Sequence, residues 1–269
     1  MVFTFRFDES YNNRSMCVGG WIAEEREWDR LESQWQKRLA FENRNSDDNQ
    51  KITRFHAANL NCYEEEFEHW SPDMSASFVK ALLEIIVRRR IGAVSCGLDM
   101  SALVKVFPED EPNKKKIAYG LCIKQLMVGL AHKLGSDDQV LLIHDHGDWD
   151  AEAEAAYKKM VEDTRWEPRR KFQGILPLTW EESIGLQASD LIAYETFKLV
   201  DKVLFHNSRE LRKALSALVR ERVPISARYI HEPALLALRE QMQSDNASSV
   251  MAVLPQTSSD EDTEGEAEL

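Results

Sequence analysis

Four consecutive aliphatic residues, Val140-Leu141-Leu142-Ile143, run without a break into His144-Asp145-His146-Gly147-Asp148. A run this short and this apolar is the pattern of a strand buried on both faces, which a sheet covered by helices on either side provides. The chain opens on a related pattern of different period. Phe3, Phe5 and Phe7 alternate with Thr4 and Arg6, the mark of a strand with one apolar face, and Asp8 stands at its end. Met16 to Ala23, apolar and carrying Gly19-Gly20, reads as a second strand paired to the first through the polar turn Glu9 to Ser15.

Between and after these runs the period changes to that of a helix. Trp28, Leu31, Trp35 and Leu39 predict a helix over Glu24 to Phe41, and Phe78, Leu82, Leu83, Ile86 and Val87 predict another over Ser75 to Arg90, with Ser75 as its cap. Ile91 to Leu98 returns to strand composition. Lys114 to Leu134 is the longest helical pattern, with Gly135 just beyond it. Ala151 to Thr164 is helical, Ile175 to Thr179 is a fifth strand, and Ser183 to Val200 is a helix. This alternation predicts an α/β fold, one mixed five-stranded sheet flanked by helices. Two further helices, Ser208 to Arg222 and Pro233 to Gln243, would pack on its edge and could form a homo-oligomer interface. The expected organisation is a single domain over residues 1–243 and a disordered acidic tail over 244–269, too poor in apolar surface to offset its ordering entropy.

That tail distorts the net charge of −12, because it holds seven acids and no Lys or Arg. The body is left with 39 acids against 34 bases, too acidic to bind nucleic acid through its overall field. Contact with a polyanion would need local basic patches: Arg88-Arg89-Arg90, Lys114-Lys115-Lys116, or Arg165 with Arg169-Arg170-Lys171. No run of 18 or more uncharged apolar residues occurs, and Met1 to Asp8 has no leader-like pattern. The expectation is a cytoplasmic protein that does not engage a membrane. The four cysteines, Cys17, Cys62, Cys96 and Cys122, lie far apart and read as reduced core thiols.

Chemistry concentrates in three acids. Asp8 and Asp145 stand where apolar strands stop, the place where open α/β sheets collect ligands. Asp190 sits among Leu186, Ala188, Leu191, Ile192 and Ala193, an environment in which a carboxylate is costly without a partner cation. Helical geometry puts Ser183, Gln187, Asp190 and Tyr194 on one stripe and turns Glu195 away. If the stripe meets the strand ends, three carboxylates converge, and oxygen ligands of that charge call for Mg²⁺ or Mn²⁺.

Asp8-Glu9-Ser10, Phe55-His56-Ala57 and the segment Gly185 to Tyr194 resemble the family called domain of unknown function 3800, and the resemblance spans Phe3 to Val200. That family is placed in the ribonuclease-H-like superfamily, whose members act on phosphodiesters with two metal ions held by carboxylates. The resemblance implies a ribonuclease-H-like sheet, a bacterial setting, and a metal-dependent nuclease. Asp8, Asp145 and Asp190 would be its catalytic and metal-binding acids, Glu9 an extra ligand, and two Mg²⁺ or Mn²⁺ ions its cofactors. His56 and Gln187 would contact substrate. Lys114, Lys115, Arg169 and Arg170 would hold the nucleic-acid backbone. The chain departs from the family pattern at Tyr11, where glycine is usual, and in having no acid in Lys114 to Leu134.

Two other readings compete. One is a binding module of the same fold without catalysis, motivated by the missing helix acid. The other is a zinc hydrolase using His144, His146 and Asp148, although Trp149 occupies the place of that motif's last histidine.

Overall fold

The computed structural model describes residues 1–45, 51–204 and 212–244. Its centre is a six-stranded mixed sheet in the order β5-β4-β1-β2-β3-β6. Strands β1 (Val2–Tyr11), β2 (Ser15–Ala23) and β3 (Gly92–Asp99) run as an antiparallel meander. Strands β4 (Gln139–Asp145) and β5 (Phe172–Leu178) continue it in parallel beyond β1. On the opposite edge β6 (Ile225–Ile230) pairs in parallel with β3, a sixth strand where the sequence pattern indicates five. Its side chains are mostly half-buried, so it lacks the clean apolar alternation that would announce it.

The sheet is covered on both faces. Helices α1 (Glu25–Glu42), α2 (Ala57–Cys62), α3 (Pro72–Val87), α7 (Gly185–Leu204) and α8 (Lys213–Arg220) form one layer. Helices α4 (Met100–Val106), α5 (Lys114–Lys133), α6 (Asp150–Glu162) and α9 (Glu232–Ser244) form the other. Strand alternation divides the two cores. Phe5, Phe7, Met16 and Val18 face the α5 layer, whereas Cys17 and Trp21 face the α7 layer.

Most predicted boundaries lie within a few residues of those observed. Helix α3 starts earlier, because Ser71, not Ser75, caps it by accepting from the Met74 N–H, with Pro72 in the first turn. The predicted Ser208–Arg222 helix is seen as α8, its first residues lying outside the described ones, as does the acidic tail apart from Ser244. Leu215 and Leu218 of α8 and Leu235 and Leu238 of α9 are buried in the two cores, whereas Leu236 and Met242 of α9 are exposed. Three cysteines are buried thiols, whereas Cys62 is exposed. Among the described residues no helix is long and apolar enough to cross a membrane.

Helix α7 crosses the sheet unusually closely, and glycine permits it. A methyl group on Gly19 would lie 3.3 Å from the Ala193 Cα, and one on Gly97 would meet Val200 at 2.3 Å. Polar contacts fix the crossing: the Trp21 indole donates to the Ala188 carbonyl at 2.8 Å and the Ser189 hydroxyl to the Arg6 carbonyl at 2.6 Å. At its start, Glu32 accepts from the Gly185 N–H at 2.9 Å and pairs with buried Arg6, placing a carboxylate at a helix N-terminus.

Candidate active site

The β1–β4 register sets the acids. The parallel ladder ends at Phe7 opposite His144, so Asp8 and Asp145 are the next residues on two neighbouring strands. Strand β1 itself continues to Tyr11, and Asp8 is still paired with Gly19 on its other side. It therefore lies inside a strand at the point where β4 ends, not at the strand terminus expected from sequence. Phe7 and His144 stack on the α5 side at 5.6 Å. Alternation then turns Asp8 and Asp145 to the α7 side and Glu9 to the α5 side.

Asp190 reaches this point from α7 and is 7 % exposed. Its Oδ2 accepts the Ala57 N–H at 2.7 Å, and one turn earlier the Gln187 Oε1 accepts the Phe55 N–H at 2.8 Å and the Trp35 indole N–H at 3.0 Å. The loop Arg54 to Ala57 is thus fastened to α7 by two side chains. The Phe-His-Ala and Gln-x-x-Asp segments, far apart in the chain, form one structural unit. Gln187, expected to touch substrate, is buried and committed to this fastening.

The electrostatics record the convergence. Burial, then the charges of Asp190 and Asp145, hold the Asp8 carboxyl well above the usual range. Glu9 is raised well above its usual value by burial and then by Asp8 and Asp145. Burial pushes Asp190 up to about 7, with Glu9 and Asp145 adding and the Ala57 N–H and Arg54 opposing. Asp145 is raised by burial and relieved by Arg54. Asp8 is half-buried, so it keeps some surface open to solvent. Among the described residues no three His, Cys, Asp or Glu side chains stand at the spacing of a formed metal site. The donor chemistry nonetheless fits a hard divalent cation: carboxylate oxygens, each opposed by the others.

The remaining candidates separate. His56 caps α2, its Nδ1 accepting from the Asn59 N–H at 3.4 Å, and it adjoins the cluster closely enough to feel Asp145. Lys114 and Lys115 begin α5 at the site end of the sheet, with the Lys115 ammonium 4.9 Å from the Tyr11 ring. Arg169 and Arg170 lie instead at the start of β5. Because β5 is parallel to β4, that start is at the opposite end of the sheet, about 20 Å from the acids, so these two arginines do not join the site. Ser183 and Tyr194 leave the stripe as well. Ser183 precedes α7, and Tyr194 lines a cavity between α3, α7 and α8.

The two histidines of the zinc reading both face the Asp150 carboxylate, exposed His146 at 2.6 Å and buried His144, stacked on Phe7, at 3.7 Å. Among the described residues they are not part of a group of three that could hold a metal ion. Two residues that pattern reasoning passed over belong to the site. Arg54 is a cation felt by both Asp145 and Asp190. Tyr119, on α5 where the expected helix acid is missing, is buried and raised well above its usual pKa by burial and then by Glu9 and Asp8. The only signal for Arg54 is its place directly before the Phe-His-Ala segment, and the apolar helix pattern hides Tyr119.

No protein-family model matches the chain, and no curated protein matches it. Among solved structures it is similar to Bst-RNase HIII in complex with Mn²⁺, with 12 % identity and a TM-score of 0.41. The match covers 73 % of this chain and 52 % of that one, so the chain spans about half the length of that protein. At this level of similarity neither activity nor ligand transfers.

Proposed function

We propose that the chain is a ribonuclease-H-like, divalent-metal-dependent nuclease in which Asp8, Asp145 and Asp190 hold the ions. The observation that carries this reading is the meeting of three acids from β1, β4 and α7 on one face of the sheet, each raised in pKa by burial, with Asp8 and Asp190 raised further by neighbouring acids. Such a group is costly for the fold at neutral pH, and a cation would relieve it. The three segments that carry the resemblance to the domain of unknown function 3800 are also those that meet here, which supports the same reading.

A pair of bound Mg²⁺ or Mn²⁺ ions would polarise the phosphodiester and lower the pKa of the attacking water. The chain's own part is positioning. Asp8 and Asp145 are held by a rigid sheet and Asp190 by the Ala57 N–H, with Glu9 at the margin. Arg54 steadies the charge of the cluster, and Lys114 and Lys115 offer cations to a phosphate backbone approaching from the α5 side. Cleavage of labelled single-stranded, double-stranded and hybrid substrates in Mg²⁺, Mn²⁺ or EDTA tests it. Metal-dependent cutting, lost in folded Asp8→Asn, Asp145→Asn and Asp190→Asn variants, is the expected result. No cutting of any substrate, together with no divalent-ion binding by calorimetry, would sink it.

One observation favours a second reading, a nucleic-acid or protein binding module without turnover: α5 brings Tyr119 to the cluster and no acid. That reading expects substrate binding by a protein in which Asp145→Asn changes nothing.

A further inference from the structure

Beside Glu9, on the α5 side of the sheet, Tyr11 of β1, Lys115 and Tyr119 of α5, and Trp149 just before α6 form a layered group. The last residue of β1, Tyr11, is an exposed large aromatic at 40 %. Its ring meets Trp149 edge to face at 5.5 Å and 86°. Trp149 is stacked in turn on Tyr119 at 5.0 Å and 23°, and Tyr119 is 1 % exposed within the core. Lys115 places its ammonium 4.9 Å from the Tyr11 ring centroid. The exposed ring is therefore propped by half-buried Trp149, itself backed by buried Tyr119, and carries a cation over it.

An exposed tyrosine held in this way has already lost much of its side-chain freedom, so stacking a ligand on it costs little further entropy. Its position is informative. Tyr11 is three residues beyond Asp8 on an extended strand, about 10 Å along it, and by alternation shares the α5 face with Glu9 while Asp8 and Asp145 face α7, so a strand of a few nucleotides would have to pass around the site end of the sheet to reach both. A base can lie on an exposed ring only if its own stack is open there, so the feature selects unpaired nucleotides.

We propose that Tyr11, propped by Trp149 and Tyr119 and flanked by Lys115, is a stacking platform for one base of an unpaired nucleic-acid strand, at the same end of the sheet as the carboxylate cluster. This rests on the nuclease reading for its choice of ligand and narrows the substrate to a strand that is single or splayed at this point. The ring supplies a sequence-tolerant face and Lys115 a contact to phosphate.

The test is equilibrium binding of the full chain to fluorescein-labelled 12-nucleotide single strands, DNA and RNA, and to the matching blunt duplex. Ca²⁺ replaces Mg²⁺, and strand integrity is checked on a gel. Tyr11→Ala is expected to weaken single-strand binding about 5- to 150-fold, to leave the duplex within about twofold, and to keep the wild-type melting temperature. Tyr11→Phe should bind as wild type, and Lys115→Gln should reduce the salt slope by about one. Equal single-strand affinity for Tyr11→Ala and wild type overturns the proposal, as does an equal loss on duplex, or no strand binding by wild type. The two readings fail separately. Metal-dependent cutting with a KM unchanged in Tyr11→Ala would remove the platform and leave the nuclease. Tyr11-dependent strand binding by a protein that cuts nothing would do the reverse.

Discussion

Replacing Asp190 by asparagine separates the cost of the acid cluster from its use. The amide that Asp190→Asn introduces would keep an oxygen to accept the Ala57 N–H, a bond of 2.7 Å, while removing the charge. In the folded chain Asp190 titrates at about 7 against an ordinary value of 3.8. A carboxyl whose folded pKa is raised adds stability that is fully present below the unfolded value and is lost as pH rises through the folded one. At about 1.4 kcal/mol per pKa unit, ionising Asp190 at pH 8 costs the metal-free fold about 4 kcal/mol. Asp190→Asn should therefore melt higher than wild type at pH 8 in EDTA, by about 8 to 16 °C in a chain of this size, and the gap should close near pH 4. Adding Mg²⁺ should raise the melting temperature of wild type more than that of the variant, since binding to the folded state adds to its stability. Thermal denaturation across pH 4 to 8, with and without Mg²⁺, reads all of this. A variant that is equally destabilised at both ends of the range would refute the reasoning, because Asp190 would then be an ordinary hydrogen-bonding residue with no burden of charge.

Gln187→Ala removes the acceptor of two buried N–H groups, from Trp35 and Phe55, and should cost about 2 to 4 kcal/mol in urea denaturation while loosening the Arg54 to Ala57 loop to proteolysis. Gly97→Ala should cost about 1 to 3 kcal/mol by overpacking against Val200, and Val200→Ala in the same chain should recover part of it. Arg54→Gln takes away a cation that lowers both Asp145 and Asp190, so the acid limb of the pH–rate profile should move to higher pH. A limb that stays in place would mean that Arg54 does not act on the cluster.

The same contacts show why parts of the site were legible in the chain and parts were not. Asp8, Asp145 and Asp190 stand out because each interrupts an apolar pattern, and period two in a strand and 3.6 in a helix are local properties. The side of the sheet that each acid faces follows from that alternation once the Phe7–His144 register is known. Arg169 and Arg170 were misjudged for a topological reason. They follow β4 closely in sequence, but the α6 crossover carries the chain back to the far end of the sheet before β5 can run parallel. Gln187 was read as sharing a stripe with Asp190 and contacting substrate, whereas its partners are the Trp35 indole and the Phe55 N–H, supplied by segments much earlier in the chain.

The sequence by itself determined the kinds of element, the two-layered covering of a central sheet, and the three acids, because hydrophobic periodicity is written residue by residue. Only the tertiary structure decided which charges meet, that Arg54 and Tyr119 join them, and that an aromatic ledge rises from β1 at the same end of the sheet. Those depend on register and on the close passage of α7 over Gly19 and Gly97, and such proximities arise from packing between distant segments, which no local pattern encodes.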